Sequence, residues 1–135
     1  MRMVATELWL TTIADDRGTL VTVDMQELGL PMQRMFQIRD VPPGSTRGGH
    51  AHRACHQVLI ASAGIIDIEL HDGVQGRILR LQDPARALHV PPGMWTSQTY
   101  VTSGAMLTVL ASHPYSEADY IRDFAEFLEM VEAKA

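Results

Sequence analysis

Two histidines, His50 and His52, follow a glycine-rich run that also carries an arginine: Gly44-Ser-Thr-Arg47-Gly-Gly-His50-Ala-His52. At the period of a β-strand both imidazoles point to one face, so a single cavity can receive both rings. Histidine accepts and returns protons near neutral pH, and it also ligates transition metals. Arg47 adds a planar, permanently charged fork suited to phosphate or diphosphate. The chemistry on offer is proton transfer or metal binding, next to an anion site.

The single cysteine, Cys55, lies between His52 and His56. No signature that would stabilise a thiolate accompanies it, so it reads as a buried structural residue rather than a nucleophile. His71 falls in a turn and is expected to be exposed. His89 borders the second Pro-Pro turn and can face either way, and His113 receives no role. Trp95 and Tyr100 offer aromatic faces that can wall a sugar or base site, although packing alone would also use them.

These residues need strands to hold them, and the chain supplies strand patterns throughout. Leu8–Ile13 and Thr19–Val23 flank an Asp15-Asp16-Arg17-Gly18 turn. Residues 34–38 alternate and stop at Pro42-Pro43-Gly44. Residues 65–70 place Ile66, Ile68 and Leu70 against Asp67 and Glu69, the signature of a half-buried strand. His71-Asp72-Gly73 closes a hairpin, and Pro91-Pro92-Gly93 opens another. Turns recur every eight to twelve residues, so the chain reads as all-β, a double-sheet barrel or sandwich. Beyond residue 114 the composition changes. Ser116-Glu-Ala-Asp119 resembles a capping box, and Ile121, Phe124, Leu128 and Val131 recur at helical spacing, predicting a helix over about 116–132.

At 135 residues the chain fits one domain, with the barrel spanning about 8–113. A net charge of −5 supplies no basic face, which excludes general binding to nucleic acid or an anionic membrane surface. One cysteine forbids an internal disulfide and suits a reducing compartment. Glu7 interrupts the N-terminal segment early, and no stretch reaches transmembrane length. A soluble cytoplasmic domain is expected.

The spacing G-x5-H-x-H-x4-Q-x6-G over Gly44–Gly64 resembles the first signature of the cupin barrels, in which the Gln57 position is a metal-binding Glu. The second cupin motif is echoed by Pro91-Pro92-Gly93-Met94-Trp95, but Thr96 and Tyr100 stand where its His and Asn belong. A neutral amide at Gln57 is a poor ligand, so two of four metal ligands are missing. What remains favours the pair as acid and base. A metal-dependent alternative would recruit His56 beside His50 and His52.

A narrower resemblance follows from Asp16-Arg17-Gly18-Thr19-Leu20, Arg47-Gly-Gly-His50-Ala-His52, Gln57-Val-Leu, Pro92-Gly-Met-Trp95, Val109-Leu-Ala-Ser112 and Ser116-Glu-Ala-Asp-Tyr-Ile-Arg122, which occur in order. Together they are similar to the nucleotide-sugar 3,4-ketoisomerases, the WxcM-like or FdtA-type cupins, over residues from about 8 to 127. The resemblance implies a jelly-roll homodimer without metal or other cofactor, acting on dTDP-4-keto-6-deoxy-D-glucose. The ketone would move from C4 to C3 through an enediol, on the way to a 3-amino sugar. His50 and His52 would then be the catalytic pair, with His50 as the C3 base. Arg47 would hold the diphosphate or polarise the carbonyl, and Arg17 would line the sugar pocket. Gln57, Trp95, Thr96 and Tyr100 would complete the substrate contacts. Relatives carry His or Arg at the Thr96 position, Tyr near Phe36–Gln37, and an acid at the His56 position. Both C4 epimers of the product therefore stay open, as do 3,5-epimerisation and a nucleotide-sugar sensor without turnover.

Overall fold

The structure, a computed structural model, describes residues 4–134. Two antiparallel sheets of five strands face each other. The first runs, in spatial order, β1 (Thr6–Trp9), β9 (Arg86–Val90), β6 (Gln57–Ala63), β11 (Met106–Ala111) and β4 (Arg34–Ile38). The second runs β12 (Tyr120–Ile121), β5 (Thr46–His52), β10 (Trp95–Tyr100), β7 (Ile66–His71) and β8 (Gly76–Leu81). Their inner faces share one core, with Leu59, Leu88, Leu107 and Val109 from the first sheet meeting Ile66, Ile68, Leu70 and Leu81 from the second. The alternation read from residues 65–70 is the physical cause: Ile66, Ile68 and Leu70 are fully buried and Glu69 is exposed. This is the two-sheet antiparallel arrangement expected of a jelly roll.

Leu8–Ile13 is not one strand. β1 ends at Trp9, and the Leu10 N–H bonds the Ala85 carbonyl at 2.7 Å. The chain then leaves the sheet as a separate hairpin of β2 (Thr11–Asp15) and β3 (Gly18–Thr22). A single helical turn, α1 (Met25–Leu28), is capped by the Asp24 side chain and by Gly29 in the left-handed region.

The expected helix over 116–132 begins later. Residues Glu117–Asp119 form a 3₁₀ turn, Tyr120–Ile121 join the edge of β5 as a strand, and α2 spans Phe124–Ala133. Asp123, not Ser116, is its N-cap, accepting from the Glu126 N–H. Phe127 is the residue that α2 buries completely, against Ala51, Ile121 and Trp95 on the outer face of the second sheet. His71 is not free in its turn either: its ring stands edge-on to Phe124 at 5.1 Å. Among the described residues no helix is long and apolar enough to cross a membrane.

Candidate active site

Arg47 and His50 are three positions apart, so a regular strand would send them to opposite faces. The pairing of β5 with β10 shows how both come to face inward. Thr96 lies opposite His50, Ser97 opposite Gly48 and Gln98 opposite Arg47, so the register slips by one residue and leaves Gly49 without an opposite number. This β-bulge absorbs the odd residue. Gly48 (φ +90°) and Gly49 (φ +80°) both sit in the left-handed region. At Gly48 a Cβ would also lie 2.9 Å from the Gln98 amide and 3.1 Å from the Ser97 Cα, so only glycine fits.

The bulge helps shape a cavity of about 390 Å³ between the open edges of the two sheets. His50, Arg47 and Gln98 line it from the second sheet, and Arg34 and Gln57 from the first. Tyr115, Tyr120 and Arg122 close it from the segment that follows β11. Among the described residues no carboxylate pairs with Arg34 or Arg47, whereas Arg122 grips Glu117 through two bonds of 2.6 and 3.0 Å. Those bonds, followed by one from the Tyr115 hydroxyl, hold Glu117 down to about 2.

The His50 and His52 rings meet edge to face with centroids 5.1 Å apart, and the Tyr120 ring covers both, at 4.9 and 4.4 Å. Arg122 lies over the same Tyr120 ring at 4.3 Å. His52 Nδ1 is 2.8 Å from Asp119 Oδ2. Burial alone would raise the Asp119 pKa, but hydrogen bonds from His52 and from the Ala54 and Cys55 N–H groups hold it below its ordinary value. An ionised carboxylate can only accept, so Nδ1 carries the proton of His52 and leaves Nε2 as the basic nitrogen. Nε2 is buried with no partner in the structure, as is Nδ1 of His50.

Burial, then the neighbouring His52, pushes His50 down to about 4. Burial also lowers His52, against the opposing pull of Asp119. Both imidazoles are therefore neutral at pH 7, the state a general base requires. His56 and His89 are lowered as well, each mainly by burial. An unfolded chain protonates these four rings near 6.5, so between that pH and the lowered folded values it binds more protons than the native state. Stability consequently rises with pH in this window and is lost as pH falls from 6.5 towards 4. Urea midpoints measured from about pH 7.5 to 4.5 should decline steadily over that interval. A midpoint independent of pH would show that the rings are not held neutral by the fold.

Of the residues singled out in the sequence, Arg47, His50 and Gln57 line the large cavity, and His52 lies just behind His50. Thr96 is the cross-strand partner of His50, 2 % exposed. Trp95 and Tyr100 do not wall the cavity. Trp95 points out of β10 and packs on Phe124 and Phe127, and Tyr100 is fully buried in the shared core. Arg17 sits at the exposed tip of the β2–β3 hairpin, ion-paired to Asp15 at 2.9 Å and away from the cavity of its own chain. His56 turns from His50 and His52 to stack on His89, with Nδ1 2.9 Å from His89 Nε2, so the three-histidine metal set does not assemble. Asp119, Tyr120, Arg122, Tyr115 and Arg34 were given no site role from sequence. The signal was present in Ser116–Arg122, but helical periodicity drew the reading to a cap and a helix instead.

Comparison with known proteins matches this architecture. The family described as "FdtA: WxcM-like, C-terminal" covers residues 4–132. The TDP-4-oxo-6-deoxy-alpha-D-glucose-3,4-oxoisomerase of Aneurinibacillus thermoaerophilus is 33 % identical over 120 residues, covering 88 % of this chain and 86 % of that protein. A crystal structure of a 3,4-ketoisomerase from Helicobacter canadensis superposes with a TM-score of 0.91 at 37 % identity, over 96 % of this chain and 98 % of that one. QdtA, a sugar 3,4-ketoisomerase from Thermoanaerobacterium thermosaccharolyticum solved in complex with TDP, gives 0.91 at 32 % identity, over 96 % of both chains. A histidine-to-asparagine mutant of QdtA has been solved with TDP-4-keto-6-deoxyglucose. The chain belongs to the FdtA-type, WxcM-like family.

Proposed function

We propose that this chain is a sugar 3,4-ketoisomerase that moves the ketone of dTDP-4-keto-6-deoxy-D-glucose from C4 to C3. The observation that carries the reading is a pair of neutral imidazoles in contact, His50 on the cavity wall and His52 behind it fixed by Asp119, with Arg34 and Arg47, which no carboxylate among the described residues pairs, lining the same cavity. The C4 ketone acidifies the proton on C3. His50 removes that proton, the electron pair enters a C3–C4 double bond, and the C4 oxygen is protonated to give the enediol. The C3 hydroxyl then gives up its proton as C4 accepts one. The product is a C3 ketone and a C4 alcohol, with no net change in atoms or electrons. Arg34 and Arg47 bind the diphosphate.

The first sheet lines the cavity with Phe36, Ile38, Leu107 and Val109, none of which can donate a proton. Of the two phenols in the lining, Tyr120 lies against the histidine rings and the Tyr115 hydroxyl donates its proton to a hydrogen bond with Glu117. Thr96, beside His50, has no group that titrates near neutrality. The pair therefore both removes and returns the proton from one side of the ring, and same-face delivery leaves the C4 hydroxyl axial. Incubation in D2O followed by NMR tests both statements. The expected result is a 3-keto sugar with deuterium at C4 and a galacto configuration. A gluco product would overturn the same-face route, and tight binding without carbonyl migration would favour the sensor reading.

The chain works as a homodimer in this proposal. The β2–β3 hairpin projects Ile13 and Leu20, each more than half exposed, with no covering element among the described residues. Arg17 at the tip of that arm can reach a sugar pocket only in a second copy. Sedimentation should give a dimer, and Arg17→Ala should raise KM while leaving the dimer intact. A monomer at micromolar concentration would refute the arrangement. Free, buried Cys55 suits a reducing cytoplasm.

A further inference from the structure

We infer that the back of the His52–Asp119 pair is a binding site for a thiophilic divalent cation, with zinc as its occupant, and that filling it stops proton transfer. His52, Cys55 and Asp119 each bring a ligand atom to within 4.8 Å of the other two. His52 is 7 % and Cys55 5 % exposed, so two of the three donors are nine-tenths buried. The same three residues line a small cavity of about 10 Å³ behind the large one, together with Arg34, Gln57 and His113. That is roughly the space one water-sized sphere needs. Three converging donors and a void of one-atom size are independent observations, and they coincide.

The donor set selects the metal. Nitrogen, thiolate and carboxylate suit zinc, whereas magnesium and calcium require oxygen throughout. Zinc bonds of about 2.0–2.3 Å place neighbouring ligand atoms roughly 3.5 Å apart, so closing the site calls for a shift of about 1 Å. Arg53 and Glu126 pair over the neighbouring turn at 2.8 Å and contribute no ligand to the cluster.

This is a different site from the one the H-x-H pair would form in a metal-binding barrel. It uses the rear nitrogen of His52 and none of His50. Binding balances as follows. The Cys55 thiol releases its proton to solvent, and the imidazole proton moves from Nδ1 to the unpartnered Nε2. Nδ1, the thiolate and the Asp119 carboxylate then bind the ion, with one proton released per metal. The two anions cancel the charge of the cation, so a neutral centre is buried. The proton now on Nε2 removes the basic nitrogen that the isomerisation uses. Binding stands independently of the ketoisomerase reading, and the inhibition rests on it.

Cobalt(II) titration of the purified, chelator-treated full chain is the test. One equivalent should produce a thiolate-to-cobalt charge-transfer band and the strong visible bands of tetrahedral cobalt, both bleached by zinc. His50→Asn should retain the bands, and Cys55→Ser should lose them. In the isomerase assay, one equivalent of zinc should abolish turnover of the parent chain until a chelator is added, while Cys55→Ser stays active and indifferent to zinc. Cys55→Ala, checked for folding by circular dichroism, repeats the comparison if the serine variant unfolds. Absence of the charge-transfer band in the parent chain overturns the site, as does its persistence in both cysteine variants. A band that forms without any effect on rate overturns the inhibition. If the chain isomerises no sugar at all, the cobalt spectrum alone still decides the binding.

Discussion

Replacing His50 or His52 with asparagine is expected to lower turnover by about 10²–10⁴-fold each, the usual cost of removing a positioned acid or base. Asparagine preserves polarity and approximate size, so the cavity keeps its shape and Arg34 and Arg47, the proposed diphosphate ligands, keep their places. TDP affinity measured by calorimetry should therefore change little while the rate collapses. The split distinguishes proton handling from support of the binding site. The histidines also differ in their surroundings: His50 faces the cavity, whereas His52 lies behind it against Asp119. Exchange of the substrate C3 proton with solvent, followed in each variant, identifies the first base. Loss of exchange in His50→Asn with residual exchange in His52→Asn is the expected pattern. Turnover within tenfold of the parent in both variants would end the mechanism.

The second large effect is expected at a residue that need not touch the sugar. In Asp119→Asn, the Ala54 N–H, 2.7 Å from the present Oδ1, claims the amide oxygen, and the amide nitrogen takes the Oδ2 place beside His52 and the longer, 3.3 Å contact of the Cys55 N–H. The amide NH₂ then faces His52 Nδ1 as a donor. Nδ1 must become an acceptor, the imidazole proton moves to Nε2, and the basic nitrogen is lost. A wrong tautomer of this kind costs up to about 10⁴-fold in the catalytic triads of serine hydrolases. Here kcat should fall by about 10²–10⁴ with KM nearly constant, because the proposed diphosphate ligands Arg34 and Arg47 are untouched. A rise in KM at constant kcat would place Asp119 in substrate binding instead.

How much of this was legible in the sequence depended on the range of the interaction. Alternation along residues 65–70 and the H-x-H spacing are local patterns, and they fixed the strand and the shared face of the histidines. The bulge was harder to read. Two glycines after Arg47 announce backbone freedom, but only the pairing with β10 shows which residue is skipped. Trp95 and Tyr100 failed for opposite reasons. Parity puts Trp95 outside, where α2 covers it, so burial there does not mean the cavity. Parity puts Tyr100 inside, but at the filled part of the barrel and not its open edge. Asp119 was out of reach of any local rule, because it meets His52 across 67 positions of chain. Ile121 fell at helical spacing from Phe124 by coincidence, and the strand it forms exists only because the edge of β5 accepts it.

The lateness of Asp119, Tyr120 and Arg122 in the chain bears on the birth of the molecule. A ribosome delivers both histidines long before the carboxylate that selects the tautomer of one of them. The edge of β5 stays bare, and the imidazoles lack their aromatic cover, until the segment around Tyr120 pairs with it. Competence therefore arrives last, as a closing stitch. A chain cut before that stitch would hold both histidines and lack the carboxylate that sets the tautomer of one of them.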